Sequence, residues 1–185
     1  MTVHHHVPLP LARATRLLNP GPLVLVSTVG AAGPDLCAVA WAMPYDKEPP
    51  TFVLALAEGH LTFANLLATG ELTIGLPTAD LLPQALLCGS VSGREADKWA
   101  QSGLTPLPLP GCQAAGIAEC AANLGCRLVD PELARDKGLV LATATVAYGP
   151  ADLLRPDGTV DVARYPLVHH PGGRRFYAAG EIHEL

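Results

Sequence analysis

Lysine is scarce in this chain. Lys47, Lys98 and Lys137 are the only three, and with the arginines they bring the cations to 12 against 17 acidic residues, a net charge of −5. Holding a nucleic-acid backbone takes many Lys and Arg contacts, so nucleic acid is not an expected partner, while a single small phosphate is still within reach. Charged residues of both signs make up 16% of the chain, against about a quarter in an average domain, and 49% is hydrophobic. The apolar surface exceeds what so few charges can screen, and association is expected to cover it.

Long hydrophobic runs are missing as well. The two longest stretches without charge, residues 99–118 and 17–34, each contain three prolines and three glycines. Neither can stay helical over the roughly 20 residues that a bilayer requires, so no membrane span is expected. The start, Met1-Thr2-Val3-His4-His5-His6, has no basic region leading into an apolar run. It does not read as a secretory signal, and a cytoplasmic location is the expectation. Five cysteines (Cys37, Cys88, Cys112, Cys120 and Cys126) make an odd set with no C-x-x-C pair, which favours reduced, buried thiols over a disulfide framework or a zinc site. There is no G-x-S-x-G and no G-x-G-x-x-G, so neither a hydrolase serine nor a dinucleotide loop is signalled. The terminal run His4 to His6 could bind metal adventitiously but reads rather as a disordered end, His169-His170 lack a carboxylate or thiol at ligand spacing, and no metal is expected.

What is present is punctuation: 18 glycines and 18 prolines among 185 residues, above average but short of the share that marks disorder. The length fits one domain, residues 1–185, with 1–7 expected to be disordered and 150–185 loop-rich. Apolar, β-branched runs fenced by Gly and Pro predict strands at 23–29, 36–42, 51–57, 72–76, 121–129 and 138–148. Helices are expected at 62–68, with Thr62 as cap and Gly70 beyond the end, at 80–88, and from Ser92 to about 101. The last has the capping-box spacing of Ser92 and Glu95. Short strands interrupted by short helices predict a mainly β protein, a barrel with helical insertions. A doubly wound sheet needs longer helices between strands, whereas the first three strands here are joined by turns.

Three constellations could carry chemistry. On a helix beginning at Ser92, Arg94 and Lys98 would share a face near unpaired backbone N–H groups, a natural phosphate site. Equally, Ser92 could only cap and the two cations face solvent. His60 and Thr62 stand at another expected helix start, where Thr62 could bind a phosphate or merely cap. In residues 35–50 the small side chains Ala38, Ala40 and Ala42 flank Trp41; they would let a flat ligand approach the backbone, or they could be ordinary strand packing.

Taken in order, the motifs resemble the flavin reductase-like, flavoredoxin-like group of FMN-binding split-barrel proteins from about residue 7 to 177. The residues carrying the resemblance are Leu17-Leu18-Asn19-Pro20-Gly21-Pro22, Trp41-Ala42-Met43-Pro44 with Pro49-Pro50, His60-x-Thr62-x-x-Asn65, Cys88-Gly89, Ser92-Gly93-Arg94-x-x-Asp97-Lys98 and Gly103-Leu104-Thr105-Pro106. The resemblance implies a six-stranded antiparallel Greek-key split β-barrel, a homodimer and FMN near the interface. It implies that Leu36, Cys37, Ala38, Val39, Ala40 and Trp41 line the isoalloxazine, and that His60, Thr62, Ser92, Arg94 and Lys98 hold the ribityl phosphate. Asp35, Ala38 and Asp46 stand where the family often has Asn, Thr and Ser, and Gly75 where Asn is common, so backbone contacts are expected to replace side-chain bonds to the ring. The implied function is an FMN-dependent oxidoreductase that passes electrons from NAD(P)H or a redox partner to flavin, a metal complex or a protein, with no catalytic side chain. The alternatives are an electron carrier without NAD(P)H activity of its own, and a barrel that has lost FMN for another flat ligand.

Overall fold

The computed structural model describes residues 21–178. The N-terminal seven residues, the His4 to His6 run and Leu17-Leu18-Asn19 fall outside that range. Seven antiparallel strands form the main sheet in the order β2-β1-β5-β8-β9-β4-β3: β1 (Val24–Gly30), β2 (Gly33–Val39), β3 (Ala42–Lys47), β4 (Pro50–Ala55), β5 (Glu71–Leu76), β8 (Ala122–Leu128) and β9 (Leu139–Tyr148). Two further hairpins pair β6 (Pro106–Leu109) with β7 (Cys112–Ile117), and β10 (Val168–Gly172) with β11 (Arg175–Ala178). The mainly β, split-barrel class read from the sequence is the class observed, with one strand more in the main sheet than the six expected. The expected strand at 36–42 accounts for the difference: it ends at Val39, and β3 begins at Ala42.

Both faces of β1 are buried, which is why its sequence is a continuous apolar run rather than an alternation. Val24 and Val26 point into the barrel with Cys37, Val39, Leu72, Ile74, Val140 and, from the helix plugging one end, Phe63 and Leu66. Leu23 and Leu25 point outward into a second core with Leu36, Ala85, Cys88, Trp99, Ile117 and Val168. Burial of these side chains on two sides, at roughly 25 cal/mol per Å² of apolar surface, holds β1 firmly in the sheet. The β6–β7 hairpin lies across this outer face: Thr73 Oγ1 donates to the Ala114 carbonyl at 2.7 Å, Ser27 Oγ donates to the Ala115 carbonyl, and Asn123 both accepts from Ile117 N and donates to Ile117 O.

Helix α1 (Leu61–Thr69) is one residue earlier than Thr62 at its start, with His60 at the cap position and Gly70 closing it at φ 71°. Helix α2 (Leu82–Ser90) follows a 3-10 turn at Ala79–Leu81. The third helix departs from expectation. Residues 92–96 form a turn in which Glu95 N and Ala96 N donate to the Ser92 carbonyl, and α3 (Lys98–Ser102) starts only at Asp97, whose carboxylate accepts from Ala100 N at 3.1 Å. The competing cap won because Asp97 offers a charged acceptor at the helix start, whereas Ser92 Oγ accepts only from Arg94 N within the turn. Helix α4 (Pro131–Lys137), capped by Asp130, occupies what the sequence suggested was a polar connection. No helix among the described residues is long and apolar enough to cross a membrane.

Candidate cofactor site

Asp35 opens the site. It lies in β2, 2% exposed, and its carboxylate accepts a hydrogen bond from Thr62 Oγ1 at 2.6 Å through Oδ2 and pairs with Lys98 Nζ at 3.1 Å through Oδ1. Lys98 is 4% exposed. A buried carboxylate survives only with such partners, and here both charges are compensated by each other. The turn at residues 92–96 closes tightly on this pair: a Cβ on Gly93 would lie 2.1 Å from Asp35 Oδ1, so only glycine fits there.

Above the pair is a cavity of about 230 Å³ lined by Cys37, His60, Leu61, Cys88, Gly89, Ser90, Val91, Ser92, Gly93 and Lys98. Its wall includes the N-terminus of α1, where unpaired N–H groups and the helix dipole favour an anion. Lys98 uses one of its three donors on Asp35 and has two left for a ligand. The Cys37 Sγ is 3.7 Å from His60 Nδ1. Burial raises the Cys37 thiol above its ordinary range, against the opposing pull of Lys98, and pushes the Cys88 thiol up to about 11. Both are therefore neutral at physiological pH and poor nucleophiles.

A second cavity of about 190 Å³ meets the first at Gly89 and Ser90 and runs on along the outer face of β2, between Ala38 and Ala40 on one side and Ala85 and Leu86 of α2 on the other. The approach at Gly89 is close: a Cβ there would sit 3.3 Å from Ala38 Cβ, a tight contact. A third cavity, about 460 Å³ and almost wholly apolar, opens beyond Ala40 beside Trp41, Met43, Val53 and Leu139.

The structure thus brings together Cys37, His60, Ser92 and Lys98 in the first cavity and Ala38 and Ala40 in the second. Other expected site residues sit elsewhere. Leu36 and Val39 are buried in the two cores, Thr62 is wholly buried against Asp35, and Trp41 is exposed along the third cavity. Arg94 and Lys98 do not share a helix face, because α3 starts at Lys98; Arg94 is outside the cavity lining, its Nε donating to the Gly59 carbonyl at 3.3 Å just before α1. The turn therefore brings its guanidinium to the α1 start by a different route from the one the spacing suggested. Asn65, also in the His60-x-Thr62-x-x-Asn65 pattern, donates to the Gly33 carbonyl at 2.9 Å and locks α1 onto the β1–β2 turn. Sequence reasoning missed the organising role of Asp35, whose signal was a lone carboxylate heading an otherwise apolar strand.

A mainly β split barrel with a few short helices is the fold of the flavin reductase-like proteins among the solved structures. The sequence as a whole agrees: the chain belongs to the flavin reductase like domain family, whose family model matches residues 16–178. An uncharacterized protein of Escherichia coli K12, YddH, is 27% identical over 180 residues, which cover 95% of each chain. Among solved structures, an FMN-binding domain of a flavin reductases-like enzyme from Shewanella baltica superposes with a TM-score of 0.82 at 28% identity, over 96% of this chain and 95% of that one. Flavoredoxin of Desulfovibrio vulgaris (Miyazaki F) gives 0.80 at 27% identity, over 90% of each.

Proposed function

We propose that this protein binds FMN in the joined cavities along β2 and acts as an oxidoreductase of the flavin reductase type. The observation carrying the reading is the junction at Gly89 and Ser90, which joins a cation-bearing cavity at the α1 start to a slot walled by small side chains. A molecule with a phosphate at one end and a planar ring at the other matches those two halves. Lys98, Ser92 and the α1 N–H groups would hold the phosphate, with His60 at the wall and the Arg94 guanidinium beside Gly59. Ala38 and Ala40 leave the β2 backbone accessible to a ring edge. The bound flavin supplies the electron transfer; the chain orients it and keeps its own thiols protonated, which suits a site without a protein nucleophile.

The pairing partner in this reading is a second copy. At β3, the last strand in the sheet order, Trp41 just before it and Met43 and Tyr45 within it are 57%, 57% and 64% exposed. A large apolar patch on a terminal strand, beside a 460 Å³ apolar cavity, supports a homodimer formed through this face.

The test is the spectrum and ligand mass of the purified protein. A flavin spectrum with the mass of FMN is expected, and failure to bind added FMN sinks the reading. Addition of NAD(P)H without oxygen then separates an enzyme, which bleaches the flavin promptly, from an electron carrier, which does not.

A further inference from the structure

Two of the side chains expected at the phosphate are already bonded to an anion, and the chain itself supplies it. Thr62 Oγ1 donates to Asp35 Oδ2 at 2.6 Å, and Lys98 Nζ pairs with Asp35 Oδ1 at 3.1 Å. Thr62 is wholly buried and has one hydroxyl proton, so its side-chain donor is spent on the carboxylate. Lys98 keeps donors for a ligand, but its charge is compensated within the fold. Gly93 packs directly on the same carboxylate, where a Cβ would lie 2.1 Å from Oδ1.

The charges around the first cavity give this contact its weight. Among the described residues lining it, Lys98 is the only lysine or arginine; Arg94 lies outside the lining, with its Nε on the Gly59 carbonyl. The opposing pulls of the pair are felt at the two thiols in the wall. Burial, the largest influence, raises the Cys37 and Cys88 thiols above their ordinary range; Lys98 then favours each thiolate and Asp35 disfavours it. An anion in the cavity meets the same opposition, because charges a few ångströms apart in a poorly solvated site act on it together.

We propose that Asp35 is an internal counter-anion, which competes with the ligand's phosphate for Lys98 and so limits how tightly the phosphate end is held. This rests on the FMN reading above and deepens it. With Asp35 in place, Lys98 stays buried without a bound phosphate, and a departing flavin strands no charge. The site is thereby built for a flavin that exchanges rather than one held permanently. Asp35 acts through Lys98 and is a positioning residue.

The experiment measures the dissociation constants of the full chain for FMN and for riboflavin, which lacks the phosphate. Asp35→Asn keeps the shape of the side chain and removes its charge; it should tighten FMN by about tenfold, chiefly by slowing its release, and leave riboflavin within about twofold. A site damaged by altered packing loses affinity for both ligands, so a gain confined to FMN reports the charge. FMN should also raise the melting temperature of Asp35→Asn by more than that of the wild type, because the phosphate then replaces the missing counter-charge. If Asp35→Asn does not fold, the double variant Asp35→Asn, Lys98→Met decides, since it buries no charge. Removing both charges should weaken FMN by less than about tenfold, whereas a greater loss with riboflavin unchanged would mean that Lys98 holds the phosphate with its full charge and would overturn the proposal. Wild-type protein that binds neither FMN nor riboflavin overturns the functional reading itself. Wild-type protein that binds FMN, with an Asp35→Asn variant that holds it no more tightly, overturns only the role of Asp35.

Discussion

Asp35 and Lys98 together form the most consequential contact at the scale of single residues, because each is buried and each is the other's counter-charge. Asp35→Ala or Lys98→Ala alone leaves an unpaired charge in the interior and should cost about 3 to 5 kcal/mol, whereas replacing both by apolar residues of similar size should cost far less. Urea midpoints of the two singles and the double measure this, and singles no worse than the double would show that the pair is not a closed unit. Gly93→Ala should destabilise as strongly as an overpacked core site, by about 1 to 3 kcal/mol, and do so much less when Asp35 is already Ala. The thiols give a pH prediction. Burial pushes Cys88 up to about 11 and Cys120 and Cys126 up to about 12 from an ordinary value near 9. The folded state therefore holds these protons longer than the unfolded one, so this contribution to stability is complete below about pH 9 and declines as pH rises toward 11 and 12. Unfolding free energies across that window should fall, and native-state alkylation at pH 8 should be slow for all three. Rapid labelling of the folded protein would contradict their burial.

At the scale of elements, α1 is held by what its motif residues do toward the barrel rather than toward a ligand. Thr62 bonds Asp35 and Asn65 bonds Gly33, and a Cβ on Gly30 would meet Asn65 Oδ1 at 2.4 Å. Asn65→Ala should therefore cost about 1 to 3 kcal/mol, the penalty for stranding a half-buried carbonyl, and loosen the β1–β2 turn in hydrogen exchange. This is also where the sequence was hardest to read. Strands β1 and β5 were legible because two-sided burial leaves largely apolar runs, β9 because it is a long run of aliphatic residues and threonine, and α1 because Gly70 marks its end. The β6–β7 hairpin was not, since Pro106, Pro108 and Pro110 obscure a strand that forms only by lying across a sheet made elsewhere. Likewise the capping-box spacing at Ser92 was real as a pattern, but Asp97 is the residue that starts the helix. Spacing along a chain signals local bonds well; it carries no information about a partner 63 residues away, which is the separation between Asp35 and Lys98.

At the scale of the whole molecule, the shortage of charge found at the outset has a location. Trp41, Met43 and Tyr45 concentrate apolar surface at and just before β3, and on the proposed dimer Trp41→Glu combined with Tyr45→Lys should give a monomer in light scattering at micromolar concentration. A wild-type monomer under the same conditions would remove the proposed interface. The order of the walls along the chain has a further consequence. The residues of β2, α1, α2 and the 92–98 turn that line the first two cavities have all been made by residue 98, but the remaining lining of the second comes from the hairpin at residues 168–178. During synthesis these walls thus become available at different times, with two of the seven main-sheet strands, β8 and β9, still to be added in between. On the FMN reading proposed above, a ribosome-bound chain stopped before residue 168 should retain no flavin.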